Sequence, residues 1–180
     1  MTQVAMTTKS VGGNGSQSAL QSIQRAHQYC TFWAAGRLLG VDILDVKEIN
    51  METNFTPVYH APEQVRGYVN IRGQIYLILD LKMILGRGQA ELLPTSRLVL
   101  FKPSVGDAFG VLVDRVGDVV EVDQDSIEDR RRNSQGSMPE NAERRGTQDD
   151  LVEGVCKLQG VLLVVLNAYR LLKYVEMRKS

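Results

Sequence analysis

The chain has 180 residues, 21 acidic and 21 basic side chains, two histidines and two cysteines. That length holds one large domain or two small ones, and zero net charge argues against a nucleic-acid or anionic-membrane partner. No apolar run approaches about 18 residues and the N-terminus lacks an apolar h-region, so neither a membrane span nor a signal peptide is expected and the reading is a cytoplasmic protein.

Residues 1–27 are dominated by Thr, Ser, Gly, Gln and Asn. Such a segment buries too little to offset its ordering entropy and is expected to be a disordered tail. From Tyr29 the pattern changes. Tyr29 to Ala35 reads as a strand, Gly36-Arg37 as a turn and Leu38 to Ile43 as a second strand. Ile43, Val46 and Ile49 recur every three residues, which fits a short turn leading into a strand. Ala61 to Val65 reads as one helical turn with Pro62 at its first position.

The stretch from Gly67 to Leu85 organises the rest. Two β-rich runs, 65–71 and 74–79, flank an Arg72-Gly73 corner, where glycine supplies the positive φ of a tight turn. Asp80 can cap a short helix with Leu81, Ile84 and Leu85 on one face and Gly86 ending it. Asn70 and Arg72 stand at the tip of this otherwise apolar hairpin. Strands follow at Arg97 to Lys102, Ala108 to Asp114 and Val116 to Val122, the last with one wet face. Residues 123–150 mix Arg130-Arg131-Arg132 and Arg144-Arg145 with many acids and read as a flexible loop. A C-terminal amphipathic helix is expected from Ala168 to Met177.

The chain repeats itself. Gly154 to Leu172 lies over Gly67 to Leu85 without a gap, matching Gly160 to Gly73 and Asn167 to Asp80, an offset of 87 (67 to 154). Upstream, Gly40-Val41 followed by Val46, Glu48 and Ile49 lies over Gly110-Val111 followed by Val116, Asp118 and Val119, an offset of 70 (40 to 110). The second copy therefore carries 17 extra residues (87 less 70), which belong in the polar run. A repeated unit of this size points to a tandem of two small β-barrels.

Little in the sequence suggests catalysis. His27 and His60 are isolated from any metal-ligand spacing, and no phosphate-cradling GxxxxGK[ST] or GxGxxG element is present; no metal or other cofactor is expected. Both cysteines fall inside expected strands far from any CxxC spacing and read as buried free thiols. Asp42, Asp45 and Glu48 could be imagined as an acid/base pair but read better as the solvent side of one edge. A binding module remains, with Glu48 near enough in the chain's order of strands to pair with Arg72 and aim its guanidinium. A nucleic-acid module using the basic loop is the competing class; it lacks an aromatic stacking row.

Tyr29-Cys-Thr-Phe, Leu39 to Ile49, Gly67-Tyr-Val-Asn-Ile-Arg-Gly73, Leu79-Asp-Leu81, Phe109 to Val116 and Gly160 to Leu172, in that order, closely resemble the CheW family of chemotaxis coupling proteins. The resemblance covers roughly residues 28–176. It implies a mainly β, non-enzymatic adaptor of two five-stranded SH3-like β-barrels packed around a shared hydrophobic core, with short helices and a C-terminal helix. The barrels would run from about 36 to 90 and from about 91 to 166, with some strand exchange and the loop 123–150, followed by helix and tail at 167–180. It also implies two partners, the cytoplasmic tip of a chemoreceptor and the regulatory domain of a CheA-type histidine kinase, and recruitment to receptor arrays at the membrane.

Carried over by position, the resemblance makes Val46, Glu48, Gly67, Asn70, Arg72 and Val119 the residues that line or support the receptor face, in an apolar groove between the barrels. The kinase contact is left without assigned residues. Two departures stand out. Family members commonly carry a proline near Leu77, so an extra N–H is expected here at a strand edge. The charged loop is also long for the family, which would suit a non-flagellar pathway controlling pili or surface sensing.

Overall fold

The computed structural model describes residues 26–129 and 148–178. In chain order the strands are β1 (Ala26–Ala34), β2 (Arg37–Asp42), β3 (Val46–Asn50), β4 (Val65–Ile71), β5 (Gln74–Asp80), β6 (Arg97–Phe101), β7 (Phe109–Val113), β8 (Arg115–Asp123), β9 (Glu128–Asp129), β10 (Val152–Leu158) and β11 (Val161–Leu166). Two α-helices follow β5 and β11: α1 (Leu81–Ile84) and α2 (Ala168–Glu176). Each starts at a side-chain cap. Asp80 accepts from the Met83 N–H and Asn167 from the Arg170 N–H, satisfying donors that a helix leaves open in its first turn.

The strands form two sheets, ordered β3-β6-β7-β5-β4 and β8-β1-β2-β11-β10-β9. The repeat read from the sequence is visible in that order. β4–β5 and β10–β11 are antiparallel hairpins, while β5 runs parallel to β7 just as β11 runs parallel to β2. Even single bonds recur: the Asp80 N–H donates to the Gln64 carbonyl at 2.7 Å and the Asn167 N–H to the Leu151 carbonyl at 2.8 Å, both pairs 87 apart.

Strand exchange is complete and reciprocal, and it corrects the barrel boundaries expected at 36–90 and 91–166. The first barrel is built from residues 46–113, so β6 and β7 belong to it; β1 and β2 go to the second, with β8 and β9 to β11. Two short links carry the exchange. Ile43–Asp45, a single 3₁₀ turn, joins β2 to β3, and Asp114 alone joins β7 to β8. A hairpin return needs at least two loop residues with suitable twist, which Asp114 cannot supply. These links instead redirect the chain into the opposite sheet, pinned by Lys102 N–H to the Asp45 carbonyl and Asp114 N–H to the Trp33 carbonyl.

Three apolar clusters hold the fold. One fills the first barrel (Val69, Ile71, Tyr76, Ile78, Leu98, Leu100, Leu112), and a smaller one the second (Tyr29, Val122, Cys156, Leu163, Val165). The largest lies between them and takes Phe32, Val99, Phe101, Phe109 and Val111 from the strands and Leu81, Ile84, Leu171 and Tyr174 from the helices. β6 therefore buries both faces, Leu98 and Leu100 inward, Val99 and Phe101 against the other barrel, which is why its sequence is apolar without alternation. Burying each such side chain contributes about 1.5–3 kcal/mol. Side chains of β3 reach across the first sheet to the β4–β5 hairpin, although β3 and β4 stand at opposite ends of the sheet order.

Three local expectations change. Ala61 to Val65 is a turn rather than a helix, closed by the Val65 N–H on the Pro62 carbonyl at 2.8 Å. The N–H of Leu77 is not at an edge: β5 is flanked by β4 and β7, and this N–H donates to the Ala108 carbonyl at 3.0 Å. The missing proline thus adds a ladder bond. The polar run 123–150 begins and ends in structure, with a 3₁₀ turn at Gln124–Ser126, β9 paired to β10 and a second turn at Gln148–Leu151. Most of the expected tail 1–27 and both arginine clusters lie outside the described residues.

Candidate functional site

The β4–β5 turn consists of Arg72 (φ 52°) and Gly73 (φ 85°). Positive φ at both central residues suits the right-handed twist of the flanking strands. For arginine that conformation costs of order 1–3 kcal/mol. Asn70 offsets part of it, since its Oδ1 accepts from the Gly73 N–H at 2.9 Å.

Across the barrel seam, Arg72 Nη1 lies 3.0 Å from Glu48 Oε2. The two members are unequal: the Arg72 side chain is 81% exposed and that of Glu48 only 23%. Glu48 is held from the other side by Asn50, whose Nδ2 donates to Oε1 at 3.2 Å. A pair this exposed contributes about 0–1 kcal/mol. Its effect is geometric: Glu48 fixes the direction of a guanidinium whose remaining donors face solvent.

The two edge strands present apolar pairs on equivalent faces. In β3, Val46 is paired with Phe101 and Ile49 with Val99; in β8, Val116 is paired with Phe32 and Val119 with Cys30. All four partners belong to the shared core, and Val46 and Val116 pack against it. Ile49 and Val119 lie exposed. Each barrel thus shows an uncovered aliphatic side chain on the face turned to its neighbour.

Glu48, Asn70 and Arg72 come together at one hairpin end, and Val46 stands two residues before Glu48 on the same strand. Val119 belongs to the second barrel. Gly67 lines nothing: it is buried, its φ is 146°, and a Cβ there would sit 2.5 Å from the Thr56 carbonyl oxygen. Its role is to let the 51–64 loop bridge to Tyr68. Asn50, Ile49 and Lys47 stand beside these residues and were not singled out from the sequence. Ile49 carried a usable signal, since it lies over Val119 in the repeat.

The equivalent place in the second barrel is built differently. The β10–β11 turn is Gln159-Gly160, with Val161 and Leu162 exposed beside it. Asp118, the counterpart of Glu48, offers its backbone carbonyl to the Thr31 hydroxyl at 2.6 Å.

Of the three carboxylates considered for acid/base work, Glu48 does not line the cleft that Asp42 and Asp45 share. Glu48 serves Arg72, whereas Asp42 accepts from the Leu44 N–H and faces His27 Nδ1 at 3.8 Å. Asp42 instead lines a cleft of about 460 Å³ with Asp45, Glu153 and Tyr169. Burial, with Asp42 and Glu153 nearby, pushes the Asp45 carboxyl above its usual range, against the opposing pull of Lys102 and a Tyr169 hydrogen bond. Burial and the same acids push the Tyr29 phenol up to about 12. Burial likewise raises both cysteine thiols, which are free. Among the described residues, no group of three or more His, Cys, Asp or Glu is placed to hold a metal ion.

A family model described as the CheW-like domain matches residues 28–176. The chain is similar to the chemotaxis protein CheW of Rhizobium meliloti (strain 1021), at 39% identity over 89 residues, 49% of this chain and 56% of that protein. It is also similar to the chemotaxis protein CheW of Treponema pallidum (strain Nichols), at 27% identity over 84% of this chain and 85% of the relative. Among solved structures, the crystal structure of the scaffolding protein TtCheW from Thermoanaerobacter tengcongensis superposes with a TM-score of 0.64 at 27% identity, covering 78% of this chain and 88% of that one. The Rhizobium match spans little more than half the relative's own length.

Proposed function

From its place in the CheW-like family, to which the chain belongs, we propose that it is a non-enzymatic adaptor of chemotaxis signalling. It couples the cytoplasmic tip of a chemoreceptor to the regulatory domain of a CheA-type histidine kinase. The observation that carries this reading is an exposed Arg72, aimed by the half-buried Glu48, at the end of a barrel seam whose outer face shows Val46 and Ile49. An amphipathic receptor helix matches both features: its apolar stripe covers the aliphatic side chains of β3 and β8, and its acceptors meet the guanidinium. Coupling then follows from population shift, since a receptor state that binds the adaptor differently biases the kinase bound to its other surface. No helix among the described residues is long and apolar enough to cross a membrane; recruitment to the membrane would come through the receptor.

The experiment is reconstitution of receptor, kinase and this protein, with kinase activity read as receptor ligand is added. Arg72→Glu places like charges together at the seam and abolishes receptor control while the far-UV spectrum stays unchanged. Full control by the folded variant would contradict the proposal.

A further inference from the structure

Two consecutive residues of β3 reach the same hairpin. In a regular strand, neighbours point to opposite faces. Here the pairing of β3 with β6 slips between Val46 and Glu48, a bulge of the kind that re-aims a side chain. Glu48 meets Arg72 at the turn, and Lys47 Nζ donates to Gln74 Oε1 at 2.8 Å and to the Tyr76 hydroxyl at 2.5 Å. The Tyr76 hydroxyl in turn donates to the same Gln74 oxygen at 2.7 Å, and the ammonium stands 5.3 Å from the ring centroid. Tyr76 is buried in the first barrel's own core, only 2% exposed. The Lys47 contacts therefore tie the outermost strand to that core, while Gln74 is the residue that follows the Arg72-Gly73 turn.

We infer that Lys47 is a positioning residue: with Gln74 and Tyr76 it forms a second clamp that fixes where the hairpin tip holds Arg72. Glu48 alone fixes one end of a long side chain; Lys47 fixes the backbone that carries it. Adjacent residues on one strand then set both, so the β3 wall and the tip move as one body. Among the described residues, the second barrel has no such device. The counterpart of Lys47 is Gly117, where a Cβ would lie 2.5 Å from the Thr31 hydroxyl oxygen, and the counterpart of Tyr76 is Leu163. The inference rests on the proposed receptor contact for its consequence in binding, but its geometric content is independent of that reading.

The test uses the full chain with Lys47→Met, Gln74→Leu and Lys47→Arg. Side-chain ¹⁵N relaxation at Arg72 Nε and amide exchange at Gly73 read the order of the tip directly. Binding of a receptor-tip helical fragment reads its consequence. Lys47→Met and Gln74→Leu loosen Arg72 and weaken binding roughly three- to ten-fold, Lys47→Arg restores both, and Lys47→Met adds nothing in an Arg72→Ala background. An Arg72 as ordered in both clamp variants as in the wild type overturns the inference. Additive losses in the Arg72→Ala background overturn it too, since Lys47 would then touch the partner itself. If the wild-type protein binds no receptor fragment, the proposed function falls, and Lys47 is judged on the relaxation data alone.

Discussion

The two hairpin tips share a backbone and an exposed aliphatic residue, Ile75 or Leu162, but differ in the charged side chains placed around it. Each turns through a non-glycine followed by a glycine at positive φ, and each is followed seven residues later by a helix cap. The first presents Arg72 held by Glu48, with Lys47 clamping the next residue. The second presents Gln159, with Val161 and Leu162 exposed and no ion pair built at the corresponding place among the described residues. Duplication conserved what the fold requires, the turn and the cap. Among the described residues, the side chains that orient a charge at the tip exist only in the first copy, as the proposed receptor contact would require.

The largest effect that sharpens this comparison separates scaffold glycines from tip glycines. Gly67→Ala drives a Cβ into the Thr56 carbonyl at φ 146° and is expected to destabilise by about 3 kcal/mol or more. Gly73→Ala meets nothing within 4 Å and carries only the left-handed backbone cost, about 1–2 kcal/mol. Urea midpoints at constant m-value check the ranking; equal losses would break it.

A negative charge placed at each tip comes next. Arg72→Glu removes receptor control with little loss of stability, whereas Gln159→Glu, the same charge placed on the equivalent turn, leaves control within about two-fold of wild type. Fragment titration and kinase assay measure both. A comparable loss from Gln159→Glu would erase the functional distinction between the barrels.

The smallest effect concerns the acidic cleft at the junction of the repeats. The folded state raises the Asp45 carboxyl above its ordinary value near 3.8. A raised acid binds its proton more tightly when folded, so Asp45 costs stability once pH exceeds the raised value, and that cost disappears as pH falls toward 3.8. Asp45→Asn therefore stabilises slightly at neutral pH, by well under about 1 kcal/mol after solvent screening, and, by removing a group whose cost is relieved as pH falls, steepens the acid limb of the stability curve. Unfolding midpoints between pH 3.5 and 7 show the sign.

Much of this architecture was legible in the residues. The hairpin, its corner, the caps at Asp80 and Asn167 and the offset of 87 are local patterns, and local patterns survive translation into structure. The distribution of strands between sheets was not. Periodicity tells that β6 and β7 are strands but not that β5 will pair in parallel with β7, 32 residues from Leu77 to its partner Phe109 along the chain. The family resemblance implied some strand exchange, but not which strands change sheets. Gly67 was readable as special, but the close approach that requires it was not, because the Thr56 carbonyl it accommodates arrives from an irregular loop. Lys47 was invisible for a similar cause: alternation assigns it to the face opposite Glu48, and only the bulge turns both toward the hairpin.

The central claim is that the first barrel's tip and the aliphatic faces of β3 and β8, and not the second tip, meet the receptor. Amide chemical-shift mapping of the full chain with a receptor-tip helical fragment tests it most directly. The account predicts perturbations concentrated at Val46, Ile49, Asn70, Arg72, Gly73 and Val119, with Gln159, Gly160 and Leu162 unmoved. Perturbations centred on the β10–β11 turn, with Arg72 and Gly73 silent, would contradict it.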